Sequence, residues 1–282
     1  MPHVFAAPRT RATLSDVRWF EVSVVPVVVV AVLSGCSSGG DGVRSTEPAG
    51  PSTPATARPE VLGTIPHDPA AFTQGLEVSG DALYEGTGLE GRSSIREVDP
   101  ATGEVRRKLD LPSPLFGEGI TVVGERIWQL TWRDGVAIER DRASLAEVRR
   151  VPYEGEGWGL CLDGDRLVMS DGTADLTFRD PATFEERGRV AVTRAGEPLE
   201  DLNELECVDG RVWANVWQTD EVVRIDPVTG AVDLVADLSS LRPEGVPASD
   251  VLNGIASVPG SDEFLVTGKN WPSMFRVRLP PG

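Results

Sequence analysis

Histidine is nearly absent from this chain: among 282 residues there are two, His3 and His67. No pair of imidazoles stands at metal-ligand spacing, so zinc-dependent hydrolysis is a poor reading. A Ser-His-acid triad would have to use His67, and there is no Gly-x-Ser-x-Gly elbow to present a serine to it. His67 is therefore expected to fix the entry of the chain into its first repeat. Basic charge is also scarce, with 27 Lys and Arg against 44 Asp and Glu and a net charge of −17. A phosphate backbone demands a basic footprint, so nucleic acid is excluded as a partner. No segment holds a helical period for three turns, which leaves strands to build the fold. A hydrophobic content of 40% is enough for their core.

The N-terminal segment stands outside that core. Arg9, Arg11 and Arg18 precede an apolar run from Val22 to Leu33 that is broken only by Ser23 and Pro26. This is shorter than the roughly 20 residues of a membrane span and reads as an export signal over residues 1–35. It ends in Leu33-Ser34-Gly35-Cys36, which resembles a bacterial lipobox. That resemblance implies cleavage before Cys36, acylation of its amine and thiol, and anchoring to the outer face of a bacterial membrane. An ordinary secretory signal with an incidental cysteine is the alternative. Cleavage removes three Arg, one Asp and one Glu and leaves a net charge near −18. Residues 36–59 are mostly Ser, Gly, Pro, Thr and Ala, a composition that cannot bury a core. They are expected to form a disordered tether holding the domain, residues 60–282, roughly 25 Å from its anchor.

What the remainder has in abundance is repetition. Phe72-Thr73-Gln74-Gly75-Leu76-Glu77-Val78 returns as Phe116 to Val122, Glu156 to Leu162, Leu202 to Val208 and Val251 to Ser257. Gly75, Gly119, Gly159, Glu204 and Gly254 are separated by 44, 40, 45 and 50 residues, the period of a propeller blade. Each repeat carries a first turn containing Gly80, Gly124, Gly164, Gly210 or Gly260, where a tight hairpin needs positive φ. A second turn is clearest in Asp99-Pro100-Ala101-Thr102-Gly103 and Asp226-Pro227-Val228-Thr229-Gly230, and degraded in Asp180 to Thr183 and Asp141 to Ser144. Between the turns lie short β-branched or alternating runs such as Arg126 to Leu130 and Val222 to Ile225. The last repeat stops after its third strand, so Glu60 to Ile65 is expected to supply the fourth and close the ring. The predicted fold class is all-β: a five-bladed β-propeller closed by an N-terminal outer strand.

A propeller brings the starts of its inner strands together around one mouth of a central channel. The repeated stretch contributes Gln74, Glu118 and Asn203 there, with Trp158 beside them, and the second strands add Trp132, Trp217 and Lys269. A tryptophan can be core, a lone Glu can face solvent and Lys269 can be a surface lysine. One carboxylate, one ammonium, two carboxamides and three indoles converging on one mouth nevertheless make a candidate site. Cys161 and Cys207 occupy similar places in adjacent repeats. They are read first as a buried pair of small apolar side chains; a disulfide is allowed if their Cα atoms lie within roughly 7 Å.

The motifs Phe72-Thr73-Gln74-Gly75-Leu76, Glu85-Gly86-Thr87-Gly88-Leu89, Gly91 to Arg96, Phe116-Gly117-Glu118-Gly119, Asn203-Glu204-Leu205-Glu206, Leu252 to Ala256 and Thr267-Gly268-Lys269-Asn270-Trp271 occur in order. Together they resemble the plant-type glutaminyl-peptide cyclotransferases, five-bladed propellers also found in bacteria and distinct from the zinc-dependent animal enzymes. The resemblance spans residues 61–279 and departs from the family at Gly86, often Ser, and Glu90, often Tyr, changes expected to alter a rim loop. It implies active-site positions Phe72, Gln74, Glu118, Trp132, Trp158, Asn203, Trp217 and Lys269.

The implied reaction converts an N-terminal glutamine to pyroglutamate with release of ammonia, without metal or cofactor. Glu118, desolvated by indoles, would carry a proton from the α-amine to the leaving nitrogen. The tryptophans would impose the folded-back rotamer. Gln74, Asn203 or Lys269 would stabilise the oxyanion. The peptide would point outward, giving a broad substrate range, and the protein is expected to be a monomer. The alternative is a non-catalytic propeller whose aromatic mouth binds sugars or peptide termini.

Overall fold

The computed structural model describes residues 53–280, so the segment expected to be an export signal, Cys36, the expected tether up to residue 52 and the last two residues lie outside it. Within those bounds the chain forms five sheets of consecutive antiparallel strands. The first holds β3 (Thr73–Ser79), β4 (Ala82–Thr87), β5 (Ser94–Val98) and β6 (Val105–Asp110). The second holds β7 (Gly117–Val123), β8 (Arg126–Thr131), β9 (Val136–Asp141) and β10 (Glu147–Pro152). Next come β11 (Leu160–Asp163), β12 (Arg166–Met169), β13 (Asp175–Arg179) and β14 (Glu186–Ala191), then a small hairpin of β15 (Thr193–Arg194) and β16 (Glu197–Pro198). The fourth sheet holds β17 (Leu202–Val208), β18 (Arg211–Val216), β19 (Glu221–Ile225) and β20 (Val232–Asp237). The fifth holds β21 (Leu252–Ser257), β22 (Glu263–Gly268) and β23 (Ser273–Arg278). Its outer strand is β2 (Glu60–Pro66), antiparallel to β23, as the missing fourth strand of the last repeat required. This is a five-bladed β-propeller.

The repeating glycines mark where inner strands of neighbouring blades nearly touch. A Cβ on Gly75 would lie 2.5 Å from the Ile120 nitrogen, one on Gly119 2.6 Å from the Trp158 oxygen, and one on Gly159 2.1 Å from the Asn203 oxygen. In the fourth blade the same place is taken by Glu204, whose carboxylate spans the gap and accepts from the backbone N–H of Leu76 and Ile255 at 3.1 and 2.8 Å. The period is thus a packing requirement written into the sequence.

The turns behave likewise. The five first-turn glycines have φ between +58° and +76°. In the second turns Asp99 and Asp226 each accept two backbone N–H bonds through Oδ1, an Asx arrangement that Asp180 repeats. Where the closing glycine is missing, Leu145 and Phe184 adopt φ +62° and +66° and are almost fully buried. Burial of a large apolar side chain offsets the roughly 1–2 kcal/mol of left-handed strain.

The core lies between blades. One apolar cluster joins Leu76 and Leu83 of the first blade to Leu265 and Met274 of the fifth, with Ile65 of β2 sealing the closure. Comparable clusters fill the other seams. His67, directly after β2, is buried and anchored at both ring nitrogens, to the Trp271 carbonyl at 2.7 Å and to Glu85 at 2.9 Å. Burial pulls its pKa down, but the Glu85 charge and hydrogen bond outweigh that and leave it above the ordinary value. This ties the closing strand to the first and fifth blades.

Three sequence expectations need correction. The segment assigned to a disordered tether contains β1 (Ala55–Ala57), which pairs in parallel with β20 and gives the fourth sheet a fifth strand. Its small residues carry little strand signal, and the free outer edge of β20 supplies the pairing. Cys161 and Cys207 are a disulfide, not two free thiols: their Cα atoms, on the neighbouring strands β11 and β17, are 5.4 Å apart. Gly86 is not on a rim loop but inside β4, where a Cβ would meet the Glu118 backbone oxygen at 2.7 Å.

Candidate active site

Inner strands of a regular sheet would alternate their side chains between two faces, and a residue at the strand start would not face the channel mouth by default. Irregularities in register solve this. The ladders slip between Thr73 and Gly75, Gly117 and Ile120, Leu202 and Leu205, and Leu252 and Ile255, one slip at the mouth end of four inner strands. The residues left out of register belong to the repeated stretch and include Gln74, Glu118, Asn203 and Asn253. A bulge re-aims the side chains it carries, and here it turns polar groups from four blades toward one axis.

Second strands end at the same mouth and are pinned there by backbone bonds. Trp132 N–H donates to the Phe116 carbonyl, Trp217 N–H to that of Asp201 and Lys269 N–H to that of Val251, all between 2.8 and 3.0 Å. Phe72, Gln74, Glu118, Trp132, Trp158, Asn203, Trp217 and Lys269 thereby line one cavity of about 270 Å³. Leu89, Phe116 and Ser249 complete its wall. Phe116 was legible in the sequence, because it stands to Glu118 as Phe72 stands to Gln74. Leu89, held at φ +81°, and Ser249, in the long connection after β20, fall outside the repeated stretch; Leu89 ends one of the family motifs, whereas Ser249 carried no signal.

The wall is a chain of aromatic contacts. Lys269 Nζ lies 4.8 Å from the Phe72 ring centre, Phe72 meets Phe116 edge-on at 6.2 Å, and Phe116 tilts against Trp132 at 5.5 Å. On the other side Trp158 and Trp217 meet edge-on at 5.5 Å.

At the floor, the Gln74 amide donates to Glu118 Oε1 at 2.7 Å and accepts from Asn253 Nδ2 at 3.2 Å, while the same Asn253 nitrogen donates to the Thr73 carbonyl at 2.9 Å. Asn253 therefore decides which end of Gln74 faces the carboxylate. Glu118 Oε2 is buried without a hydrogen-bond partner, and so is Asn203 Oδ1. Burial pushes the Glu118 carboxyl well above the ordinary range; the Lys269 charge and the Gln74 bond pull it partly back, and the Glu156 charge adds to the rise. Burial also lowers the Lys269 ammonium, against the attraction of Glu118. The pocket thus offers a basic carboxylate, a nearby cation and an unfilled amide acceptor, walled by aromatic rings. Such a set can move one proton between two nitrogens of a substrate folded into it.

The family model for glutamine cyclotransferase matches residues 28–279. A glutaminyl-peptide cyclotransferase of Arabidopsis thaliana is 42% identical over 226 residues, covering 78% of this chain and 71% of the relative. The crystal structure of Myxococcus xanthus glutaminyl cyclase superposes with a TM-score of 0.76 at 38% identity, covering 80% of this chain and 98% of that one. With the family model spanning most of its length, the chain belongs to the glutamine cyclotransferase family.

Proposed function

We propose that the glutaminyl-peptide cyclotransferase activity of this family runs in this chain through Glu118 as a single proton carrier. The observation that carries the reading is Glu118 itself, a buried carboxylate with one unpartnered oxygen in the lining of a cavity sized for one side chain. An N-terminal glutamine would enter with its side chain folded back between the indoles, its α-nitrogen close to its own Cδ. Holding both reacting groups in one rotamer supplies much of the rate.

The α-nitrogen attacks Cδ and passes its proton to Glu118 Oε2. The carboxyl then protonates the amide nitrogen, the Cδ–N bond breaks, and ammonia leaves with pyroglutamate formed. Lys269 stabilises the oxyanion on the γ-carbonyl, and Asn203 Oδ1 accepts from the departing NH₂ and orients it. Gln74 is not assigned the oxyanion in this scheme: one of its two amide hydrogens donates to Glu118 and its oxygen accepts from Asn253. It keeps the carboxylate oriented instead. No metal or cofactor enters the scheme, which rests on a carboxylate and an ammonium alone.

The peptide beyond the first residue leaves through the open mouth, which favours a broad range of substrates. The enzyme is expected to work as a monomer. Lipidation of Cys36 would hold the enzyme at the outer face of a bacterial membrane, and the Cys161–Cys207 disulfide suits such an oxidising compartment. The test is mass loss of one ammonia from a Gln-initiated peptide, with the Glu118→Gln protein as the control. Turnover by both proteins alike would remove Glu118 from the chemistry.

A further inference from the structure

Two of the three tryptophans in the cavity wall come from different blades, Trp132 from the end of β8 and Trp158 from the start of the third blade. Nothing in the strand ladders couples their side chains. Both indoles nevertheless donate to one atom: Trp132 Nε1 reaches Glu156 Oε2 at 2.7 Å and Trp158 Nε1 reaches it at 3.0 Å. The other oxygen of Glu156 accepts from Arg133 Nε at 2.7 Å, and that guanidinium lies over the Trp132 ring with Cζ 3.9 Å from its centre. Trp132 is thus held at its edge by the carboxylate and on its face by the arginine that the same carboxylate anchors.

An indole N–H facing an open mouth would otherwise turn to water and leave the ring free to swing. We propose that Glu156 is a positioning residue for the cyclisation, fixing Trp132 and Trp158 as one rigid wall against which the glutamine side chain folds. The proposal rests on the reading of this pocket as the cyclotransferase site. Glu156 does not touch the reacting atoms. It acts through the two rings, and a wall displaced by even 1 Å can lower turnover on the order of a hundredfold.

Two substitutions separate this role from a general structural one. Glu156→Gln keeps the shape but offers one oxygen to three donors, so either an indole or Arg133 loses its acceptor. Glu156→Ala removes all three bonds. Ammonia-release kinetics should show kcat falling on the order of tenfold in the first and a hundredfold in the second, with KM changing less. The acid limb of the pH profile is a second readout. The ionisable groups acting on Glu118 include Lys269 and Glu156, and Arg133 faces Glu156 from the second blade. Removing the Glu156 charge takes away a like charge, so the limb should move to lower pH in both variants.

A third readout needs no substrate. It uses protein that begins at Cys36 and so lacks Trp19. Trp128, Trp213 and Trp271 are buried, so acrylamide quenching reports mainly on the mouth indoles and should increase in Glu156→Ala. Unchanged kcat, or a fall that merely tracks the folded fraction while limb and quenching stay put, overturns the proposal. If the wild type itself releases no ammonia, the cyclotransferase reading fails. Quenching still decides on Glu156, since equal quenching in wild type and Glu156→Ala would mean that the carboxylate does not hold the rings.

Discussion

Replacing Asn253 with leucine should disturb catalysis from a position that makes no contact with the proposed reaction. In the native site its Nδ2 serves two buried acceptors, the Thr73 carbonyl at 2.9 Å and Gln74 Oε1 at 3.2 Å, while its own Oδ1 is buried without a partner. Leucine has a similar shape and keeps water out. It would strand two acceptors and remove one stranded acceptor, a net gain of one unsatisfied group, which costs about 1–3 kcal/mol. Urea unfolding should read that loss as a lower midpoint with an unchanged slope.

The functional effect is larger in kind. Without Asn253 the Gln74 amide can turn over and present its oxygen, not its nitrogen, to Glu118 Oε1. The bond from Gln74 favours the ionised carboxylate, so losing it raises the Glu118 pKa further. Because only the ionised form accepts the proton, the acid limb of kcat/KM should move to higher pH. A destabilised protein whose acid limb stays at the wild-type position would refute the role given to Gln74.

Lys269→Met should lower kcat by roughly 10²–10³ if the ammonium stabilises the oxyanion; its charge also holds the Glu118 pKa down, so the residual activity should show an acid limb at higher pH, measurable by ammonia release across a pH series. Reducing the Cys161–Cys207 bond, which closes a loop with a sequence separation of 46, should cost up to about 4 kcal/mol by loop entropy, read as a lower thermal midpoint in reductant. Gly159→Ala places a Cβ 2.1 Å from the Asn203 backbone oxygen and should cost more than about 3 kcal/mol or prevent folding. Gly124→Ala, at φ +58° with open space around it, should cost only about 1–2 kcal/mol; equal losses at the two sites in denaturant melts would mean that the blades are not held at the contact distance described.

The parts of the fold that were legible in the sequence are those where one residue type is physically obligatory. Gly75, Gly119 and Gly159 recur because inner strands approach too closely for a side chain, and Gly80 and Gly124 recur because their turns need positive φ. The closing strand β2 could be read because the last repeat lacked an outer partner. β1 could not, since Ala55–Ala57 has no pattern of its own and is held by an edge formed almost 180 residues later.

The site divides the same way. Gln74, Glu118 and Asn203 lie in the repeated stretch, so their convergence followed from the period alone. Asn253 shares that stretch but works one layer below the cavity, and its importance depends on the orientation of one amide. Glu156 opens the third copy of that stretch, but its contacts come from three donors on two different blades, a meeting in space that the repeat does not encode. Leu89 and Ser249 reach the cavity from loops with no periodic signal.

The most direct measurement of the central claim is ammonia release from a short Gln-initiated peptide, in EDTA, by the wild type and by Glu118→Gln, with peptide binding followed in parallel. The wild type should turn over with an acid limb above the ordinary carboxylate range, and the variant should bind peptide, remain folded and release no ammonia. A folded Glu118→Gln protein that cyclises the peptide at the wild-type rate would contradict the claim.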